Sequence, residues 1–362
     1  MYHNELEALR KSGRYRERRV YPDTLKDFAS NDYLGLASSK KTLKKTLKKI
    51  EKLHTFAPKA SMLVNGYHQV HKDFERDLAL INNFDDAILV GSGFLANITL
   101  IESLVRKNDT LFIDEEFHAS GFLASRLVID NVVIFKHNSL HDLKEKYEKA
   151  TFNRAIICVE GVYSMSGDVL SREIIDFALE QESLLILDEA HSCGVLGKTL
   201  LGILEYYRIK ERKNIIKMGT LGKAYGSYGA YILASKEVID FLINRGKGII
   251  YTTALSLFDT VLGHQHLKYI QKNHKTIHRN LATRRELAYD MLGKKIESQI
   301  LTINIKNNEK LKEVDTILKN NHFLVGAIRR PTVKSPILRV ILRDGDNLED
   351  TKKLLYILKE IC

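Results

Sequence analysis

Between residues 86 and 234 short apolar runs alternate with helical stretches, and this alternation restricts the possible folds more than any other feature. The runs are Ala87-Ile88-Leu89-Val90, Thr110-Leu111-Phe112-Ile113, Val132-Val133-Ile134-Phe135, Ala155-Ile156-Ile157-Cys158-Val159, Leu184-Leu185-Ile186-Leu187, Ile215-Ile216-Lys217-Met218 and Ala230-Tyr231-Ile232-Leu233. Helical patterns over 93–104, 120–127, 140–147 and 172–182 separate several of them. Runs this short and this uniformly apolar read as strands buried on both faces. The chain is therefore expected to be an α/β protein with a mainly parallel central sheet and helices on both faces. In such sheets ligands bind at the carboxyl ends of the strands.

The flanks read differently. Residues 1–45 read as an N-terminal arm, 46–270 as a large domain and 271–362 as a smaller C-terminal α+β domain. The arm carries Arg14, Arg16, Arg18 and Arg19. Beyond about 255 the pattern predicts two charged helices (255–271 and 277–292), strands at 300–303, 323–328 and 337–342, and helices near 309–320 and 348–361. A chain of 362 residues has length enough for two or three cores.

The formal charge of +11 suits an anionic ligand or partner: a phosphate, coenzyme A, an acidic carrier protein or a nucleic acid. Lysines are densest over Lys40–Ile50, where Leu43, Leu47, Ile50 and Leu53 recur at helical spacing, as in an amphipathic surface helix. No apolar run is long enough to span a membrane. The start, Met1-Tyr2-His3-Asn4-Glu5, lacks a signal-peptide pattern. Cys158, Cys193 and Cys362 form neither a disulfide framework nor a zinc spacing. The expected compartment is a reducing cytoplasm, with no metal and no membrane partner.

Several motifs compete. Gly91-Ser92-Gly93-Phe94-Leu95-Ala96 follows a strand and opens a helix, and Asp114 ends the next strand. That fits a dinucleotide fingerprint, but a helix start with free N–H groups holds any phosphate. Asp188-Glu189-Ala190-His191 has the look of a nucleoside triphosphatase box. Gly197-Lys198-Thr199 is a poor partner for it, because Ser192 takes the place of the first glycine and the order is reversed. With no nucleotide loop, nucleic acid is not an expected partner.

One reading absorbs these pieces. Lys223 lies in the small-residue turn Thr220-Leu221-Gly222-Lys223-Ala224-Tyr225-Gly226. A lysine desolvated there would have the neutral amine that Schiff-base chemistry requires. A pyridoxal 5′-phosphate site needs such a lysine, a phosphate cradle, a carboxylate for the pyridinium nitrogen and a flat group against the ring. Gly93 and Phe94 offer the cradle, Asp188 the carboxylate, His191 a contact to the phenolic oxygen and His118 the stacking group.

These segments resemble the α-oxoamine synthases, a family of fold-type I pyridoxal phosphate enzymes. The resemblance runs from about Phe28 to the C-terminus. Further segments that carry it are Ser30-Asn31-Asp32-Tyr33-Leu34-Gly35-Leu36, Glu160-Gly161-Val162-Tyr163-Ser164-Met165-Ser166-Gly167-Asp168 and Ala327-Ile328-Arg329-Arg330-Pro331-Thr332-Val333. It implies an acyltransferase that joins an amino acid to an acyl thioester with loss of CO2. L-alanine and a pimeloyl thioester, on coenzyme A or acyl carrier protein, are the substrates of the most similar member; others use glycine or serine. The resemblance implies catalytic roles for Lys223, Asp188, His118 and His191. Cofactor contacts would come from Gly93, Phe94, Ser164 and Thr220, and across a homodimer from Thr252 and Thr253. Substrate contacts would come from Asn31, Thr332, Arg339 and an arm arginine, Arg16 rather than the nearly equivalent Arg18. The chain departs from the pattern at Lys59–Gly66, which replaces a Gly/Ser-rich stretch facing the acyl group. It also lacks the prolines usual after Thr253.

Overall fold

The computed structural model describes residues 1–128 and 131–361; Cys362, one of the three cysteines, lies outside them. Strands are β1 (Lys26–Phe28), β2 (Asp86–Val90), β3 (Thr110–Asp114), β4 (Val132–Phe135), β5 (Ala155–Glu160), β6 (Leu184–Asp188), β7 (Ile215–Thr220), β8 (Ala230–Ala234), β9 (Ile300–Asn304), β10 (Phe323–Ile328) and β11 (Ile337–Ile341). Every apolar run singled out in the sequence is a strand.

The larger sheet has the order β2-β8-β7-β6-β5-β3-β4. Only β8 runs against its neighbours β2 and β7; the other pairs are parallel. Successive side chains point to opposite faces, and each face has its own core. Leu89, Phe112, Ile157, Leu185 and Leu233 join one cluster, whereas Ile88, Leu111, Ile156, Ile186 and Ile232 join the other. Burial on both faces explains why these strands read as continuous apolar runs.

Register brings the strand ends level. Val90 and Thr220 both pair with Ala230, Asp188 pairs with Met218, and Glu160 pairs with Asp188. Polar residues that end β5, β6 and β7 therefore share one edge.

The second sheet has the order β1-β10-β11-β9. Its core includes Phe28, Leu301, Leu311, Leu318, Leu338, Val340, Leu354 and Leu358. Arm residues 26–28 thus pair with Phe323–Val325 at the far end of the chain, a contact that periodicity does not show. The two charged helices expected over 255–271 and 277–292 are one helix, Leu257–Leu292. Residues 272–276 are polar but hold no glycine or proline, so nothing stops propagation through them. Ser256 caps its start and Gly293, left-handed at φ 66°, ends it. The helix Gln69–Asn82 packs beside it and has no counterpart in the sequence reading, although Val70, Phe74, Leu78 and Ile81 recur there at helical spacing.

Candidate active site

The level strand ends build the site. Asp188, at the end of β6, is 4% exposed. Its carboxylate accepts from Asn97 Nδ2 at 2.7 Å and from the Ala190 N–H at 2.9 Å. Asn97 reaches it from the helix Gly93–Leu104 and also donates to Ser120 Oγ at 3.0 Å. Two residues of the neighbouring helix are thereby tied in, since His118 caps that helix and lies 2.7 Å from Ser120 Oγ through Nδ1. His118 meets Phe94 edge-on, with ring centroids 6.3 Å apart. Burial lowers its pKa, an effect that Asp188 partly offsets.

Lys223 follows β7 in a turn. Its Nζ stands 2.6 Å from His191 Nε2. Burial brings the amine down to about 8, against the pull of Asp188 and Glu160 in the other direction. His191 is buried and its pKa is pushed well down, first by burial and then by the Lys223 charge. Its other nitrogen, Nδ1, meets Tyr33 Oη, and Tyr33 donates to Asn31 Oδ1 at 3.2 Å. With Lys223 as an ammonium donor to Nε2, one polarity satisfies the row: Nδ1–H donates to Tyr33, whose hydroxyl donates to Asn31.

The opening of the Gly93–Leu104 helix faces the same strand ends. Ser92 caps it, accepting from the Leu95 N–H, so the Gly93 and Phe94 amides stay free. A Cβ on Gly93 would lie 3.7 Å from the Thr220 Cβ; the expected cradle residues are thus neighbours in space. Thr220 Oγ1 itself donates to the Gly229 carbonyl at 3.1 Å.

The smaller sheet closes the other side. Arg339, on β11, is 5% exposed, and its Nε donates to the Ser164 carbonyl at 2.7 Å while Nη2 has no partner. Gln299 donates to the His191 carbonyl at 3.1 Å. Arg16 Nη2 reaches Thr332 Oγ1 at 3.2 Å, so the arm and the 327–333 segment meet. Thr252 donates to the Gly248 carbonyl and Thr253 is exposed; their expected role belongs to a second copy. In the unusual 59–66 segment the Ala60 carbonyl accepts from the Ala254 N–H at 3.0 Å, and a Cβ on Gly66 would lie 2.0 Å from that carbonyl oxygen.

Sequence reasoning gave no role to Tyr33, Asn97, Glu160 or Gln299. Glu160 is buried and its carboxyl is pushed well up, by burial and by Asp188. The signal for Tyr33, Glu160 and Asn97 was present, since all three belong to segments that carry the resemblance, Asn97 as the residue after Ala96; Gln299 joins them only through folding.

The competing motifs have other work. Asp114 accepts from Tyr163 Oη at 2.8 Å and the Asn138 N–H at 2.7 Å on one oxygen, and meets the Glu116 N–H at 2.8 Å and His137 Nδ1 at 3.1 Å with the other, so both oxygens are engaged within the fold. Thr199 is held by Glu205 through both its N–H and its hydroxyl. Among the described residues no cluster of metal ligands occurs, and no helix is long and apolar enough to cross a membrane.

A pyridoxal phosphate fits this site on its donor set: free amides at Gly93 and Phe94 for the phosphate, the held carboxylate of Asp188 for the ring nitrogen and the Lys223 amine brought near neutrality. Beside them Arg339 Nη2 is a buried donor without a partner, and buried polar atoms are rarely left so.

Comparison with known proteins agrees. The profile of the family "Aminotransferase class I and II" matches residues 24–353. The 8-amino-7-oxononanoate synthase of Helicobacter pylori strain J99 is 45% identical over 356 residues, 98% of this chain and 95% of that one. The solved structure of 8-amino-7-oxononanoate synthase from Francisella tularensis superposes with a TM-score of 0.80 at 28% identity, covering 94% of this chain and 98% of that one. Sphingomonas wittichii serine palmitoyltransferase superposes with a TM-score of 0.89 at 20% identity, covering 99% and 95%, and shares the fold. The fold is that of the fold-type I pyridoxal phosphate transferases, and the chain belongs to the class I and II aminotransferase family and, within it, to the 8-amino-7-oxononanoate synthases.

Proposed function

We propose that the protein condenses L-alanine with a pimeloyl thioester, releasing CO2 and the thiol, to give 8-amino-7-oxononanoate for biotin synthesis. It would act as a cytoplasmic homodimer. The names of its relatives support the product. The observation that carries the chemistry is a part-buried lysine with its amine brought to about 8, set between the Asp188 carboxylate and His191.

Pyridoxal phosphate, when bound, supplies an electron sink for the charge released at the amino acid α-carbon. The chain's residues do the rest. Gly93 and Phe94 amides and the Thr220 hydroxyl would hold the cofactor's phosphate. Asp188, fixed in place by Asn97 and the Ala190 N–H, would pair with its ring nitrogen. His118 would stack on its ring, and His191 and Ser164 would contact its phenolic side. Arg339 offers its free Nη2 to the substrate carboxylate, with Nε already anchored on Ser164. Asn31 supports this end, while Arg16 and Thr332 receive the acyl group. Lys223 Nζ takes the α-proton and returns one at the end. An amine near 8 is half neutral close to working pH, where general base catalysis is most efficient. Thr252 and Thr253 complete the phosphate site of a second copy.

The test is spectroscopic and then analytical. Purified protein should show a near-visible band that borohydride fixes onto Lys223. L-alanine should perturb that band more than glycine or L-serine does. Pimeloyl-CoA with alanine should then yield 8-amino-7-oxononanoate. Product from glycine or serine and none from alanine would move the assignment to another member of the group; no band would end it.

A further inference from the structure

The helix Lys40–Ile50 has a composition that its own fold does not use. Lys40, Lys44 and Lys48 form one row at four-residue spacing, and Lys41, Lys45 and Lys49 form a second. Like charges at that spacing repel. Lys40 and Lys41 also sit in the first turn, where the helix dipole favours acids. The helix contains no acidic residue, and among the described residues none of these six lysines lies in an ion pair; the nearby acid Asp77 is taken by Arg76, His264 and Lys268.

The buried face is also unexpected. Periodicity points to Leu43 and Leu47 as the inner stripe. Instead Thr42 and Thr46 face inward with Ile50, Thr42 bonding His266 Nε2 at 2.7 Å. Leu43 and Leu47 are left 40% and 43% exposed beside the lysine rows. Where a sequence breaks local rules without compensation inside the fold, a function outside it is the expected reason.

The helix starts close to the site. Its cap, Ser39, follows the Leu36-Ala37 segment, and a Cβ on Gly226 would lie 2.6 Å from the Ala37 nitrogen. Gly226 is three residues from Lys223.

We propose that this helix is the docking surface for an acyl carrier protein that delivers the thioester, through an acidic helix bearing apolar residues. The proposal rests on the function given above. Paired rows of lysines beside two leucines match such a helix in charge and in apolar contact. A nucleic acid has no use for the leucines, and lysines lack the planar fork that favours arginine at phosphates. Ile50 is buried against Val70, Leu257 and Val261, which leaves Leu43 and Leu47 as the exposed apolar residues of the helix, a narrow stripe for insertion into a membrane.

The test compares two substrates in the cofactor-loaded, full-length enzyme. The triple variant K44E/K45E/K48E should lose about ten-fold or more in kcat/KM with pimeloyl-carrier protein, and the salt dependence of that rate should flatten. Its kcat/KM with pimeloyl-CoA should stay within about two-fold, because docking is not needed there. Equal loss with both thioesters, or no loss with either, overturns the docking surface. Binding of unacylated carrier protein, read by calorimetry, separates this from failure of the functional reading. Lost binding in the triple variant sustains the docking surface even where no product forms. The variant L43A/L47A should weaken carrier binding without changing its salt dependence. Tighter binding of wild type to duplex DNA or phosphatidylglycerol vesicles than to carrier protein, at the same salt, would overturn the assignment of the partner.

Discussion

Two histidine-centred clusters lie at strand ends of the larger sheet, one at β3 and one at β6 with β5 between them, and they have opposite characters. At the end of β3, His137 places Nδ1 3.1 Å from Asp114 and Nε2 3.3 Å from Asp168, with its ring edge-on to Tyr163 at 4.3 Å. Asp114 also accepts from Tyr163 and from the Asn138 N–H. These hydrogen bonds to carboxylates raise His137 to about 10, against burial. At the end of β6, His191 touches no carboxylate; its ring nitrogens meet a lysine and a tyrosine, and its pKa is pushed well down. Arg339 and Gln299 beside it each hold a buried atom without a partner, Nη2 and Oε1, whereas no side-chain atom of the His137 cluster is left so. The difference separates a brace from a binding site. A closed hydrogen-bond network holds a loop, whereas an open one waits for a ligand.

The contrast is broken most severely at Lys223. In Lys223→Ala the site keeps its shape but loses the group that moves the proton, so turnover should fall by about 10⁴-fold or more. The borohydride-fixed band should vanish while the thermal midpoint of the apo-protein stays close to wild type. A variant that retains turnover would show that Lys223 is only a neighbour of the site. For wild type the sign of the pH effect follows from burial. A lowered lysine pKa means the neutral amine forms as pH rises, so capture of pyridoxal phosphate by apo-protein should increase through about pH 8.

Arg339 comes next. Truncating a buried guanidinium that pairs with a substrate carboxylate costs about 2–5 kcal/mol, read here as a rise of about 30-fold or more in KM for alanine. Arg339→Lys should rescue little, because an ammonium lacks the planar fork. A KM unchanged in Arg339→Ala would mean that its Nε bond to the Ser164 carbonyl is its whole purpose.

The large sheet was legible in the sequence because its strands are buried on both faces, which leaves an uninterrupted apolar signature. Lys223, Asp188 and His191 were legible because strand ends fix their spacing along the chain. What escaped reading depends on contacts distant in sequence. Asn97 meets Asp188 across 91 residues, and Arg16 meets Thr332 across 316. No periodicity encodes those pairings. The single helix Leu257–Leu292 was misread as two because its middle is polar, although its termini carry the caps. In the helix Lys40–Ile50 the threonines were passed over, since hydropathy ranks Leu43 and Leu47 as the inner residues.

The brace should respond differently from the site. His137→Gln removes hydrogen bonds to charged partners and should cost about 1.5–3 kcal/mol of stability near neutral pH, with turnover little changed. The sign is fixed by the raised pKa: the contribution is complete below the ordinary histidine range and is lost as pH rises through about 10. Urea midpoints of wild type and variant should therefore converge as pH rises toward 10. A gap that stays constant with pH would mean that packing on Tyr163, not charge, carries the brace.

The smallest effect sharpens the comparison most. Tyr33 Oη sits between His191 Nδ1 and Asn31 Oδ1, and it is the only hydroxyl among the described residues joined to either ring nitrogen of His191. Accepting from Nδ1–H fixes the histidine tautomer that leaves Nε2 free to accept from Lys223. Tyr33→Phe keeps the buried ring and deletes this acceptor, a loss of about 1 kcal/mol. Turnover should fall by about three- to ten-fold. The decisive readout is the midpoint of cofactor capture against pH. With Nε2 no longer held as an acceptor, the ammonium form of Lys223 loses support and the midpoint should move below that of wild type. If Tyr33 merely fills space beside His191, the rate and stability could fall but the midpoint would stay where burial alone puts it. Carried out beside His137→Gln, the same titration should show no shift, because the brace shares no hydrogen bond with Lys223.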